Sequence, residues 1–186
     1  MSDLDSLSKG QSFADGALVI RPLPQSYQWS LRMRPSNIHH GSQAWNSCLN
    51  LEPLTSSSAE ERNAFRLGPD EWLLLAPMPT AADGLKALMK TVALSLVEIS
   101  DREVAWEISG DDAAHVLAAG CPLDLSDSSF PQGRATRTVY GHAEIILWRP
   151  LPERTWHIRA SRSFASYLTR HMAHAVSNLP SREMSL

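Results

Sequence analysis

The chain has 186 residues, of which 43% are hydrophobic and 20% are charged, and its formal net charge at pH 7 is −3. This length and apolar content predict a folded protein, either one domain or two small packed halves, and exclude a largely disordered chain. The small negative charge and the scattered arginines argue against a nucleic-acid partner. Two cysteines without a secretory leader predict a cytoplasmic protein, and no apolar run approaches the roughly 20 residues of a membrane span.

The first half of the chain is predicted to consist mainly of strands. Residues 1–16 mix Ser, Asp and Gly with few apolar side chains, which predicts a flexible tail. Residues 27–34 alternate apolar and polar side chains, as a half-buried strand does. The pattern then predicts loops at 35–41 and 54–61, a strand at 45–51, a hairpin at 65–75 around Gly68-Pro69-Asp70, a helix at 80–91 and a strand at 93–100.

The second half repeats this mixture of strands and helices. The pattern predicts a strand at 103–108, a short helix at 111–119, a hairpin at 136–148 around Gly141, a strand at 155–159 and a helix at 162–177. Strands and hairpins interrupted by a few helices indicate an α+β fold with antiparallel sheets and helices on one face. We expect one domain over 17–180, built from two packed ferredoxin-like halves at about 17–100 and 101–180.

The segment AGCPLDL at 119–125 is a candidate site because its cysteine directly follows a predicted helix end. Cys121 follows the C-terminal end of the predicted helix, where the helix dipole opposes a thiolate. Gly120 and Pro122 end the helix and prevent its continuation. The segment is therefore interpreted as a structural elbow with a buried cysteine, not as a catalytic site.

Other candidate sites are weak. No glycine-rich phosphate-binding motif is present. His39 and His40 are adjacent in a predicted loop, whereas His171 and His174 share a helix face but have no Cys or carboxylate at ligand spacing. Asp101 lies in a predicted turn between strands, where a solvated or ion-paired role is the simplest interpretation. No catalytic, cofactor-binding or metal-binding residue is assigned.

An ordered set of short motifs resembles the gamma subunit family of heterotetrameric sarcosine oxidase. The resemblance runs over about 66–168 and leaves the first 60 residues largely unmatched. Its specific part is LAAGCPLDL at 117–125, and the other motifs are RLGPDEWLL at 66–74, SDR at 100–102, ISG at 108–110, FPQG at 130–133, RT at 137–138 and RSFASYL at 162–168.

The resemblance implies a non-catalytic subunit of a four-chain flavoprotein that oxidatively demethylates sarcosine or a related N-methyl amine. It implies alpha, beta and delta subunits as partners. FAD, FMN, NAD, tetrahydrofolate and zinc are expected in those partners and none in this chain. The implied fold is similar to that of the folate-binding aminomethyltransferases, in agreement with the α+β pattern.

A free-standing folate-binding or aminomethyltransferase-like protein is the alternative, in which Asp101 or Glu107 would supply a carboxylate to the ligand. For the subunit hypothesis, Phe130 and Arg134 are the expected interface residues, because they lie in a loop that can reach a partner. The six tryptophans are divided between core and interface in this view.

Overall fold

The structure, a computed structural model, describes residues 11–13, 18–151 and 154–179. All strand pairs within them are antiparallel. The strands are β1 (Gln11–Phe13), β2 (Leu18–Pro22), β3 (Tyr27–Met33), β4 (Ser56–Ala59), β5 (Arg62–Arg66), β6 (Glu71–Ala76), β7 (Leu94–Glu98), β8 (Glu103–Gly110), β9 (Ala135–Tyr140), β10 (Ala143–Trp148) and β11 (Thr155–Ser161).

The helices are short except for the last. They are α1 (Ile38–Trp45), α2 (Asp83–Leu88), α3 (Ala113–Ala118) and α4 (Ala165–Ser177). Short 3-10 helices at Pro35–Asn37, Pro79–Ala82 and Arg162–Phe164 lead into α1, α2 and α4. Within the described ranges, no helix is long and apolar enough to cross a membrane.

The strands form two sheets that have the same order. The first sheet runs β4-β5-β6-β3-β7, and the second runs β9-β10-β11-β8-β2 with β1 added at its edge. In each half a helix follows the first strand and another follows the third strand of the β-meander. This is the predicted α+β fold with two ferredoxin-like units.

The sheets pack face to face, with helices on their outer faces. On one side α3 and α4 cover the second sheet, and on the other α1 and α2 cover the first. A third cluster lies between the sheets and contains Phe65, Leu73, Leu75, Ala135, Ile146 and Trp148. The order of layers is therefore helix, sheet, sheet, helix.

The structure differs from the expected division of the chain at its N-terminus. Strand β2 pairs with β8, for example Ile20 with Ile108, and so belongs to the sheet of the second half. Residues Gln11–Phe13 pair with β2 and are a strand within the predicted tail, whose remaining residues lie outside the described ranges. The two halves are therefore not separated by a single cut near residue 100.

Two loop predictions and one strand prediction in the first half are wrong. Residues 35–41 are helical, and α1 ends at Trp45, where a strand was expected to begin. Ile38 and Trp45 are seven positions apart, which places both on one helical face, and this weak helical spacing was overlooked. The predicted loop at 54–61 contains β4, whose serine-rich sequence has little strand character.

Candidate functional site

The elbow after α3 is a packing feature, as predicted. Cys121 is a free thiol with 5% of its surface exposed, and it lies in the core between the second sheet and its helices. The backbone N–H of Cys121 donates to the carbonyl of Leu117 at 2.8 Å. A Cβ at Gly120 would lie 3.0 Å from ring atoms of Tyr140, so the glycine lets the chain pass close to this ring.

The histidines form no metal centre in the part of the chain that the structure describes, where no group of three or more His, Cys, Asp or Glu is placed to hold an ion. His171 lies on α4 with its ring centroid 4.8 Å from that of Tyr140. His174 Nε2 lies 3.2 Å from the amide of Asn178. His39 and His40 are exposed on α1, so the prediction that they lie in a loop is wrong.

The carboxylate of Glu107 is occupied by partners of its own chain. Arg21 donates to its two oxygens from Nε and Nη2 at 3.0 Å each, and His157 Nε2 lies 3.7 Å away. Burial acts to raise the pKa of Glu107, but the hydrogen bonds and charge of Arg21 outweigh it and hold the pKa below its ordinary value. Asp101 is exposed and accepts a hydrogen bond from Gln25 Nε2 at 3.0 Å.

A cavity of about 640 Å³ lies where β2 leaves the edge of β8. Three polar side chains form its inner wall. Glu103 Oε2 lies 3.7 Å from Arg159 Nε, and the amide of Gln28, oriented to satisfy both neighbours, donates to Glu103 at 3.2 Å and accepts from Arg159 Nη2 at 2.9 Å. Burial raises the pKa of Glu103 against the opposing pull of Arg159. Sequence analysis did not identify this group, because its members are distant in the chain.

A second cavity, of about 720 Å³, lies beside the end of β10 and is built around a buried arginine. Arg149 is 7% exposed, its guanidinium lies 4.9 Å from the ring centroid of Trp156, and it donates to the carbonyl of Phe130 at 2.7 Å. Asp127 accepts a further hydrogen bond from Arg149. These contacts fix the 126–131 turn to the sheet.

The structure corrects the predicted role of Phe130. This side chain is 3% exposed and its ring centroid lies 5.3 Å from that of Trp156, so it belongs to the chain's own core and is not available to a partner. Arg134 is half-buried at the end of the same loop, where its backbone carbonyl accepts from the N–H of Arg149 at 2.9 Å. The prediction that Phe130 lies in a loop is correct, but its side chain is buried because Trp156 of β11 packs against it.

All six tryptophans are buried, which leaves none of them for a surface contact. Their exposed fractions range from 0% for Trp45 and Trp72 to 9% for Trp148. Trp45 lies at the end of a helix and not on a strand as expected. The tryptophans therefore fill the hydrophobic cores on both faces of the two sheets.

Two exposed leucines lie in segments that pair with the backbone at Arg134: Leu54 precedes Thr55, and Leu151 lies two residues after Arg149, whose N–H donates to the carbonyl of Arg134. Leu151 is 76% exposed and Leu54 is 37% exposed. The carbonyl of Leu54 accepts from the N–H of Ala135 at 3.0 Å, and Thr55 forms a β-bridge with Arg134. We call Leu54, Arg134 and Leu151 the turn surface.

Comparison with known structures agrees with this architecture. A chain of the heterotetrameric sarcosine oxidase from Corynebacterium sp. U-96, solved with pyrrole 2-carboxylate, has a TM-score of 0.86 and 24% identity, covering 98% of this chain and 95% of that one. The glycine cleavage system aminomethyltransferase T from Bartonella henselae has a TM-score of 0.60 and 16% identity, covering 82% of this chain and 44% of that one. Both likenesses show the fold.

Sequence comparison gives relatives of similar length. A sarcosine oxidase subunit gamma from Arthrobacter sp. is 27% identical over 175 residues, which cover 92% of this chain and 86% of the relative. The subunit gamma from Corynebacterium sp. strain U-96 is 27% identical over 173 residues, covering 91% of this chain and 84% of that protein. The family model described as "Sarcosine oxidase, gamma subunit family" matches residues 40–178, which is most of the chain, and the protein therefore belongs to that family.

Proposed function

We propose that this protein is an assembly subunit of a heterotetrameric sarcosine oxidase and that it performs no chemistry by itself. The observation that carries the proposal is the match of the gamma subunit family model to residues 40–178. The alternative was a free-standing folate-binding protein. The family match favours the subunit role, because the matched family is a subunit family. The complex would oxidatively demethylate sarcosine or a related N-methyl amine in the cytoplasm.

In such a complex the cofactors would belong to the partner chains. FAD, FMN, NAD, tetrahydrofolate and zinc would be held by the alpha, beta and delta subunits. The sequence of this chain supports that division, because it has no glycine-rich loop that could cradle a nucleotide or dinucleotide phosphate. The carboxylate of Glu107, which the alternative hypothesis would use for a folate contact, accepts hydrogen bonds from Arg21 instead.

We further propose that the turn surface contacts a partner subunit. Leu151 and Leu54 expose apolar area on segments that pair with the backbone at Arg134; the buried centres of interfaces are more apolar than their rims, and arginine is enriched there. These three residues replace the pair Phe130 and Arg134 as the expected contact, because Phe130 is buried.

The test is co-purification of a tagged chain expressed together with its three partner genes. We expect the wild-type chain to retain the flavin-bearing chains, and we expect the double variant Arg134→Glu, Leu151→Asp to lose them while its circular dichroism stays unchanged. Met78→Asp is the matched control, since Met78 is an exposed apolar residue, with 59% of its surface accessible, outside the turn surface. Retention of all partners by the double variant would exclude the turn surface, and a wild-type chain that elutes alone from native extract would exclude the subunit role.

A further inference from the structure

The cavity beside β8 has walls from five parts of the fold. These are the linker between β2 and β3, the start of β3, the start of β8, the end of β11 and the first turns of α4. Its volume of about 640 Å³ lies within the range typical of small-molecule sites, roughly 300–1,000 Å³. Apolar side chains of Leu23, Val104 and Trp106 line one side, where Pro22 ends β2 and Pro24 lies in the linker.

Arg159 lines this cavity and leaves one donor unused. The residue is 6% exposed, and its Nε is buried without a hydrogen-bond partner. Glu103 lies 3.7 Å from that nitrogen, which is an ion-pair distance but too long for a hydrogen bond. Buried donors in folded proteins are nearly always paired, so an unpaired guanidinium N–H beside a cavity indicates a missing acceptor.

The remaining charge around the cavity is mainly positive. Arg162 and Arg170 join Arg159 in the lining, whose acidic member is Glu103. Arg162 has an acidic neighbour in Asp101 at 3.9 Å, whereas Arg170 has no ion pair among the residues that the structure describes. The first turn of the 13-residue helix α4 also lines the cavity, and its first N–H, that of Ala165, donates to the carbonyl of Arg162 in the preceding 3-10 turn.

We propose that this cavity binds a small organic carboxylate with a flat apolar body. The guanidinium fork matches the two oxygens of a carboxylate, and the wall formed by Leu23, Val104 and Trp106 suits an apolar ring. The carboxylate would accept from the guanidinium of Arg159, and Arg170 would close the charged mouth. The proposal concerns this chain alone, so it does not depend on the role proposed for it in a complex.

The test measures binding of 2-naphthoate to the full chain by isothermal titration calorimetry, with uncharged 2-naphthamide as the matched ligand. We expect the acid to bind at least about tenfold more tightly than the amide, since a charge-assisted contact is at stake. Arg170→Gln should weaken binding of the acid about tenfold for the same reason. Arg34→Gln, at an exposed arginine outside the cavity, should leave binding unchanged.

A second readout reports on the buried guanidinium itself. The ¹⁵N resonance of Arg159 Nε, assigned through its absence in Arg159→Lys, should shift when 2-naphthoate is added and stay in place with 2-naphthamide. Equal affinity for acid and amide, no binding of either, or wild-type affinity in Arg170→Gln would overturn the proposal.

Discussion

The two halves of the molecule have the same strand order but complete their sheets differently. The first half ends its sheet with β7, the last strand of that half along the chain, and Val97 on this strand is 53% exposed. The second half has β2 at the equivalent position, where Leu18 and Ile20 are 0% exposed and β1 covers the outer edge. The same topology is therefore made once from a continuous segment and once from two distant ones.

This difference shows where the folded state depends on long-range pairing. Strand β2 is followed directly by β3 of the other sheet, so residues 18–22 link the two halves through the backbone. Removing the N-terminal strands would expose the edge of β8 and part of the core around Ile108. The N-terminal segment is therefore structural for the C-terminal half.

We call β2 and β7, which take the same place in their sheets, the closing strands, and the largest effect is expected from a substitution in β2. Ile20→Ala should lower the free energy of unfolding by about 2–5 kcal/mol, because a buried side chain leaves a cavity between the sheet and its helices. Val97→Ala is the control on the other closing strand and should cost less than about 0.5 kcal/mol. Urea unfolding monitored by tryptophan fluorescence measures both, and equal losses would show that the two closing strands are equivalent in energy.

The second comparison concerns a tight turn of the second half. Gly141 has φ +59°, and a Cβ there would collide with the hydroxyl of Tyr167 and lie 2.8 Å from His171 Cε1. Gly141→Ala should therefore cost about 2–4 kcal/mol, from the left-handed backbone and from overpacking against α4. Gly133→Ala shares the positive φ, +81°, but meets no atom within 4 Å, so about 1–2 kcal/mol is expected. Thermal unfolding of the two variants separates backbone strain from packing, and a smaller loss in Gly141→Ala would contradict the packing role.

The pH dependence of stability tests a side chain on the face of the second sheet that points toward the first. His157 packs its ring 4.9 Å from that of Trp148, and burial lowers its pKa from the ordinary 6.5 to about 4 although Glu107 opposes the shift. The unfolded chain takes up this proton near pH 6.5 and the folded chain only near pH 4, so the stabilising contribution is complete above pH 6.5 and is lost as the pH falls toward 4.

In His157→Gln this part of the pH dependence should be missing. We expect the wild type to lose about 1–3 kcal/mol more than the variant between pH 6.5 and pH 4, since each pKa unit corresponds to about 1.4 kcal/mol. Urea midpoints across this range give the measurement. Parallel pH profiles of the two proteins would contradict a neutral, buried His157.

The smallest effect is expected at the turn of the first half that corresponds to Gly141. Strands β4 and β5 are joined by Glu60 and Glu61, with φ of +47° and +64°. Such two-residue turns favour Gly or Asn, so Glu61→Gly should stabilise the protein by about 0.5–1 kcal/mol. Glu61→Ala retains the β-carbon and should give no gain. A melting temperature of Glu61→Gly at or below that of the wild type would show that the turn is not strained.

Local sequence signals predicted those parts of the fold that depend on neighbours in the chain. The hairpin at Gly68-Pro69-Asp70, the alternation along β3 and the three-to-four spacing of α4 were found in this way. The turn at Glu60 and Glu61 was missed because its residues are not those that such a turn favours. The family followed from an ordered set of motifs, and the family model agrees.

The sequence by itself thus determined the α+β class, the elbow with a buried cysteine and the family. Only the tertiary structure decided that β2 completes the second sheet, that Phe130 is buried against Trp156, and that Gln28, Glu103 and Arg159 meet at one cavity. The physical reason is the distance along the chain over which each interaction acts. Turn chemistry and hydrophobic periodicity act over a few residues, whereas strand partners and burial depend on backbone and side chains that lie dozens of residues away.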